Sequence, residues 1–142
     1  MALFWGAFPD LFAFGIFFIL RIIHGQITPS KPSLSTIPDW VFSLYDLSHS
    51  FIIAFLTIGV AIWINKNFVF SMLAWPFHIV LDFPFHTRAY FPSKIFWPLS
   101  DFTVDGISWG QPKVWLPNLA GLILLYVYRK WVQPKTRVDR PK

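Results

Sequence analysis

Residues 68–87, FVFSMLAWPFHIVLDFPFHT, decide how this chain is read. The segment has the ~20 residues a helix needs to cross the hydrocarbon core of a bilayer, and most of them are aliphatic or aromatic. Yet it carries His78, Asp82 and His86. At 3.6 residues per turn, positions i, i+4 and i+8 fall within roughly an 80° arc, so a helix would project two imidazoles and a carboxylate from one stripe. Ionisable groups are expensive in a membrane and are functional candidates wherever they occur there. Histidine with aspartate is a divalent-metal ligand set, zinc first, with manganese or iron as alternatives. The competing reading is a hydrogen-bonded polar cluster that only fixes helix packing. Pro76 and Pro84 each remove a backbone hydrogen bond and are expected to bend the segment; a bend at Pro84 could swing His86 out of the stripe.

Just upstream, Asn65-Lys66-Asn67 reads as a tight polar turn, preceded at residues 47–64 by a second spanning segment, LSHSFIIAFLTIGVAIWI. The two segments form an antiparallel hairpin about Lys66, and residues equally far from the turn share a depth. His49 lies seventeen residues before Lys66 and Phe83 seventeen after it, so His49 is expected level with Asp82. A metal with ~2.0–2.2 Å bonds draws ligands from more than one element, and His49 is the natural ligand from the neighbouring helix. The plainer reading leaves His49 in the interface, with Ser48 and Ser50 as helix caps.

Residues 115–131 read as a third span, with Pro117 placed for a first helical turn and aromatic anchors at both ends. The N-terminus, MALFWGAFPDLFAFGIFFILRIIHG, is open. It lacks the basic start and small-residue cleavage site of a signal peptide. Residues 3–24 could cross whole, or Asp10 could cap a shorter re-entrant or interfacial helix, with His24 at its end. Residues 25–46 and 88–113 read as two long aromatic and Pro-rich loops, the first with a short helix capped by Asp39. Asp101 and Asp105 flank aromatic turns in the second and can be read as caps.

Composition agrees with a membrane. Of 142 residues, 55% are apolar, 20% aromatic and 13% charged, where a soluble domain carries about 25% charged residues. Without cysteine, thiolate ligands, disulfides, iron–sulfur centres and a cysteine nucleophile are excluded. The net charge is +5, but six of the twelve Lys/Arg lie in the last fourteen residues, RKWVQPKTRVDRPK. A basic tail after an apolar segment reads as a cytoplasmic flank rather than a nucleic-acid surface. The fold expected is all-α and polytopic: a bundle of three to four hydrophobic helices, with one embedded domain at 1–133 and a basic tail at 134–142.

Gly6-Ala7-Phe8-Pro9-Asp10, Ser48-His49-Ser50 and His78-xxx-Asp82-xxx-His86-Thr87, in that order, resemble the membrane-bound metal-dependent hydrolases, also described as LexA-binding inner-membrane-associated hydrolases. FWPLSDFTVDGISWG at 96–110 is similar to the loop after their histidine helix. More distantly, the His78-xxx-Asp82 pair resembles zinc-dependent phospholipase C and single-strand nucleases. The family resemblance implies a bacterial or archaeal cytoplasmic membrane and a metal site of Asp10, His49, His78, Asp82 and His86. It brings Asp10 to the side of the long loops, favouring the re-entrant reading of residues 11–24. Many members carry a longer N-terminal helix before the Pro-Asp, often with a histidine; here eight residues precede Pro9.

The chemistry such a site implies is hydrolysis by a metal-activated water, of a phosphoester before an acyl bond, with Asp10 or Asp101 as proton acceptor. Its place near a membrane face suggests an amphiphilic or lipid-linked substrate among membrane lipid. No Gly-rich phosphate loop, serine elbow or basic–aromatic nucleic-acid surface is present. Two other classes compete: a non-catalytic membrane scaffold or partner-binding protein whose His/Asp cluster is structural, and a haem protein with axial histidines. Asp82, one turn from both His78 and His86, argues against haem.

Overall fold

The computed structural model describes residues 1–132; the basic tail expected at 134–142 lies outside the described residues. Among the described residues the regular structure is helical: α1 Ala2–Ile23, α2 Asp39–Ser48, α3 Phe51–Ile64, α4 Lys66–Met72, α5 Ala74–Asp82 and α6 Pro112–Val132, with 3-10 turns at Leu34–Thr36 and Phe83–Phe85. The chain divides into two compact units, Met1–Ile107 and Ser108–Lys142. The second unit contains α6. The first contains α1 to α5 and every candidate site residue.

Two segments are long and apolar enough to cross a membrane: α1, and the α4–α5 run from Phe68 to Phe85. The α2–α3 pair makes a third if counted as one span bent by 59°. That is two or three such segments where three to four were expected. Helix α6 extends over 21 residues and holds Pro117 in its interior rather than its first turn. It does not join the apolar set, because Asn118, Arg129 and Lys130 dilute its leucines.

The N-terminal alternatives resolve into one continuous helix. Pro9 lies inside α1 and deprives the Trp5 carbonyl of its helical donor, but the helix runs on. Its 22 residues give about 33 Å, enough for a bilayer core. Asp10 is therefore an interior helical residue and not a cap, and the shorter helix of about fourteen residues gives way to this longer one.

The expected straight helix at 47–64 is instead broken. Its first residues end α2, which begins at Asp39, the first helical residue rather than the cap expected. His49 closes α2, and Ser50 turns extended (φ −96°, ψ 126°) and caps α3, its hydroxyl accepting from Ile53 N at 3.4 Å. The next segment breaks twice. Pro76 cannot donate, so α4 stops at Met72 and Pro76 enters the first turn of α5, where no donor is needed. Helix α5 then ends at Asp82, and Pro84 lies in a 3-10 turn that hands over to an extended His86.

Two apolar clusters hold the first unit together. Ala13 and Phe17 of α1 pack with Ile37, Val41, Tyr45 and Phe91. Ala54, Trp75, Ile79 and Ile95 form the other, with Trp5 and Phe8 of α1 packed against it. Along α1, Asp10 falls between the residues of one cluster and those of the other, and His49 does the same between Tyr45 and Ala54. The polar residues thus occupy the seam. Outward faces are apolar: Ile22 of α1 is 59% exposed and Trp63 of α3 95%, as suits helices solvated by lipid.

Candidate metal centre

Three backbone segments deliver the four residues of the site. Asp10 comes from the middle of α1, His49 from the α2–α3 break, His78 from the centre of α5, and Asp82 from its last residue. The carboxylate of Asp10 spans two histidines: Oδ1 lies 3.6 Å from His49 Nε2 and Oδ2 lies 3.8 Å from His78 Nε2. One ligand atom from each of these three residues falls within 4.8 Å of the others. Asp82 Oδ2 lies 3.6 Å from His49 Nε2, so these two residues do meet at one depth.

The protonation pattern makes this geometry informative. His49 Nδ1 lies 3.2 Å from the Tyr45 carbonyl and 3.1 Å from Ser48 Oγ. A carbonyl only accepts, so Nδ1 is the donor of this contact and Nε2 is left facing the two carboxylates. Nε2 of His49 and of His78 are buried and make no hydrogen bond. At 3.6–3.8 Å their carboxylate neighbours are too distant for a charge-assisted hydrogen bond, which runs ~2.7–2.9 Å. Two ligands on one ion, at ~2.1 Å each and a tetrahedral angle, stand about 3.4 Å apart. The donor set and its spacing could hold a metal ion.

A second layer holds the first. Ser48 Oγ donates to the Pro9 carbonyl at 3.1 Å, tying α2 to α1 beside Asp10. Trp75 Nε1 donates to the Ser48 carbonyl at 2.6 Å. The Tyr45 ring stacks on His49 with centroids 3.9 Å apart, and its hydroxyl bonds Ser93. His78 bonds the backbone of Gly6, so the Gly6–Asp10 stretch supplies both a ligand and an orienting group. Such outer partners fix the tautomer and aim of ligating imidazoles.

His86 is arranged differently. Its Nδ1 lies 2.9 Å from the Phe91 carbonyl and its Nε2 2.8 Å from Asp82 Oδ2, so both nitrogens have partners. The five expected ligands thus divide into a trio, Asp10, His49 and His78, and a pair, Asp82 and His86, joined through His49. Phe91 carries an uncommon left-handed backbone, φ 53°. A bulky residue resists that conformation by about 1–3 kcal/mol, and burial must impose it. Phe91 is 3% exposed and stacks on Phe42 at 4.8 Å. The strained residue is the one whose carbonyl orients His86.

Asp101 and Asp105 do not join the cluster's ligand contacts. Lys94 binds Asp46 at 3.1 Å and Asp101 at 3.2 Å, and Asp101 is 86% exposed. Asp105 Oδ1 accepts from the Arg88 amide at 2.9 Å, bracing two parts of the loop. His24 closes α1, as a terminus. Sequence reasoning missed Trp75, Phe91 and Gly106. A β-carbon on Gly106 would come 2.2 Å from the Pro84 carbonyl oxygen and 2.7 Å from that of His86, and no local pattern around Gly106 announces this closeness.

No family model, curated protein or solved structure matches this chain.

Proposed function

We propose that the protein is a membrane-embedded metal-dependent hydrolase that cleaves a phosphoester in an amphiphilic, lipid-linked substrate. One observation carries the reading: the unpaired Nε2 atoms of His49 and His78 converge on the two oxygens of Asp10 at non-hydrogen-bonding distances. The resemblance of the Gly6–Asp10, Ser48–Ser50 and His78–Thr87 stretches to membrane-bound metal-dependent hydrolases supports the same assignment.

Asp10, His49 and His78 would hold the ion, with Asp82 beside His49. A divalent ion bound there supplies an activated water and offsets negative charge developing on phosphorus oxygens. The protein's own part is to orient and to move a proton. Ser48, Tyr45 and the Gly6 backbone keep the imidazoles in the ligating tautomer. Asp10 is 54% exposed while the histidine nitrogens it faces are buried, and this supports giving it the role of proton acceptor from the water. Asp101, paired with Lys94, is the alternative acceptor.

The scaffold reading draws on the close His86–Asp82 contact, 2.8 Å between Nε2 and Oδ2. Elemental analysis of detergent-purified protein separates the two. The hydrolase reading expects about one or two equivalents of zinc, manganese or iron, lost in His49→Ala and His78→Ala, followed by phosphodiesterase activity on lipid phosphoesters. Absence of metal from wild type and variants alike, in folded protein, would move the cluster to a structural role.

A further inference from the structure

A groove of about 680 Å3 opens directly from the cluster and runs along α1. Asp10 and His86 form part of its lining; beyond them come Leu11, Phe14, Phe17 and Phe18 of α1, with Tyr90 and Phe91. Its size falls in the range of sites that enclose a ligand of a few tens of atoms, ~300–1,000 Å3. A smaller hollow shares Phe18 and Pro32 with it and continues past Arg21 and Ile22. Helix α1 is itself long and apolar enough to lie in a bilayer.

We infer that this groove seats one acyl chain of a membrane phospholipid whose phosphoester head lies at Asp10, His49 and His78. The inference rests on the hydrolase reading and adds where the substrate lies. Three observations choose the occupant. Asp10 and His86 join the groove to the cluster and, Lys31 apart, the rest of its lining carries no charged side chain, so a molecule filling it has a reacting head and a hydrocarbon remainder. Leu11 and Ile19 on its rim are 57% and 56% exposed, which opens it sideways to lipid rather than to water. Lys31 lines the wall, its Nζ 5.2 Å from the centre of the Tyr90 ring, and brings positive charge to a groove proposed for an anionic lipid. Acyl chains gain by burial at about 25 cal/mol per Å2, and the aromatic lining supplies that surface.

Gly15 provides the test. It lines the groove, and a β-carbon placed on it meets nothing within 4 Å. Gly15→Phe would therefore fill the groove while removing a glycine from a helix interior, a change that favours the helix. Gly59 in α3 also has open space around it and lines none of the grooves described, so Gly59→Phe is the matched control. The probe is a phosphatidic acid with a diazirine at mid-chain, in phosphatidylcholine vesicles holding the full protein, with labelled peptides mapped after illumination. Wild type and Gly59→Phe are expected to label at residues 11–19 and 90–91, and Gly15→Phe to lose that labelling while keeping its metal. Labelling spread evenly over the exposed apolar faces, unchanged by Gly15→Phe, would overturn the acyl-chain site even if the metal is present. Groove labelling in protein that binds no metal would overturn the hydrolase reading and with it the assignment of the chain to a substrate.

Discussion

His86 and Asp82 meet at 2.8 Å although no helix joins them: α5 stops at Asp82, and His86 is reached through the 3-10 turn at Phe83–Phe85. Phe91 holds the other nitrogen of His86, so its ring has a contact at both nitrogens. His86 should therefore act as a partner of the site more than as a ligand. His86→Ala is expected to weaken metal binding by roughly 10–100-fold, as loss of outer-layer partners does, whereas His49→Ala and His78→Ala should empty the site. Metal retained against graded chelator measures the difference. Equal emptying by all three would make His86 a ligand in its own right.

Gly106 is where the following loop locks onto that turn. Its amide donates to the His86 carbonyl at 2.8 Å, and the Ile107 amide donates to the Pro84 carbonyl at 3.0 Å. With backbone oxygen 2.2 Å from any β-carbon, the Gly106→Ala methyl can be admitted only if the loop moves off the turn. Overpacking of this kind costs about 1–3 kcal/mol. Gly106→Ala should lower the unfolding midpoint and weaken metal binding as much as His86→Ala does. An unchanged midpoint with unchanged metal would show that the loop does not position His86.

The helical, membrane-type character was legible because apolar length is a local property, and the meeting of His49 with Asp82 was legible because a tight hairpin converts sequence distance into depth. What the hairpin could not reveal is that the path bends. Ser50 as a cap and Pro76 in a first turn divide both arms, so His49, Asp82 and His86 sit at helix breaks while Asp10 and His78 lie inside helices. Asp10 was drawn in by resemblance alone. Its motif carries a proline that ordinarily signals a helix start, yet α1 runs through it, packed against α2, α4 and α5. The supporting contacts of Trp75, Phe91 and Gly106 join residues far apart in sequence, and periodicity carries no information about them.

Trp75 tests the support beneath His49. Its indole donates at 2.6 Å to the carbonyl of Ser48, the residue just before the ligand, in a buried setting. Trp75→Phe leaves that carbonyl without this donor and removes ring volume beside Trp5, whose ring stacks on it at 6.0 Å. An abandoned buried acceptor costs about 1–3 kcal/mol. Thermal unfolding in detergent should show a lowered midpoint, and metal binding should weaken by less than in His49→Ala. Full stability in Trp75→Phe would mean the α2–α3 break is held by other contacts.

Asp101 should prove dispensable for the metal. It is 86% exposed and its partner Lys94 is shared with Asp46, which is only 17% exposed. A surface pair of this kind is worth ~0–1 kcal/mol, so Asp101→Asn should leave metal content unchanged and Asp46→Asn should destabilise more. The Asp46 carboxylate chiefly, and Asp101 after it, hold the Lys94 ammonium above its ordinary 10.5, against its own desolvation. A raised folded value means the stabilisation is complete below 10.5 and disappears as pH rises through the folded value. Alkaline unfolding should therefore lose this component in Lys94→Met. With metal supplied, Asp101→Asn should keep turnover of a lipid phosphoester while Asp10→Asn loses it. Loss of rate in Asp101→Asn with metal still bound would instead make Asp101 the proton acceptor.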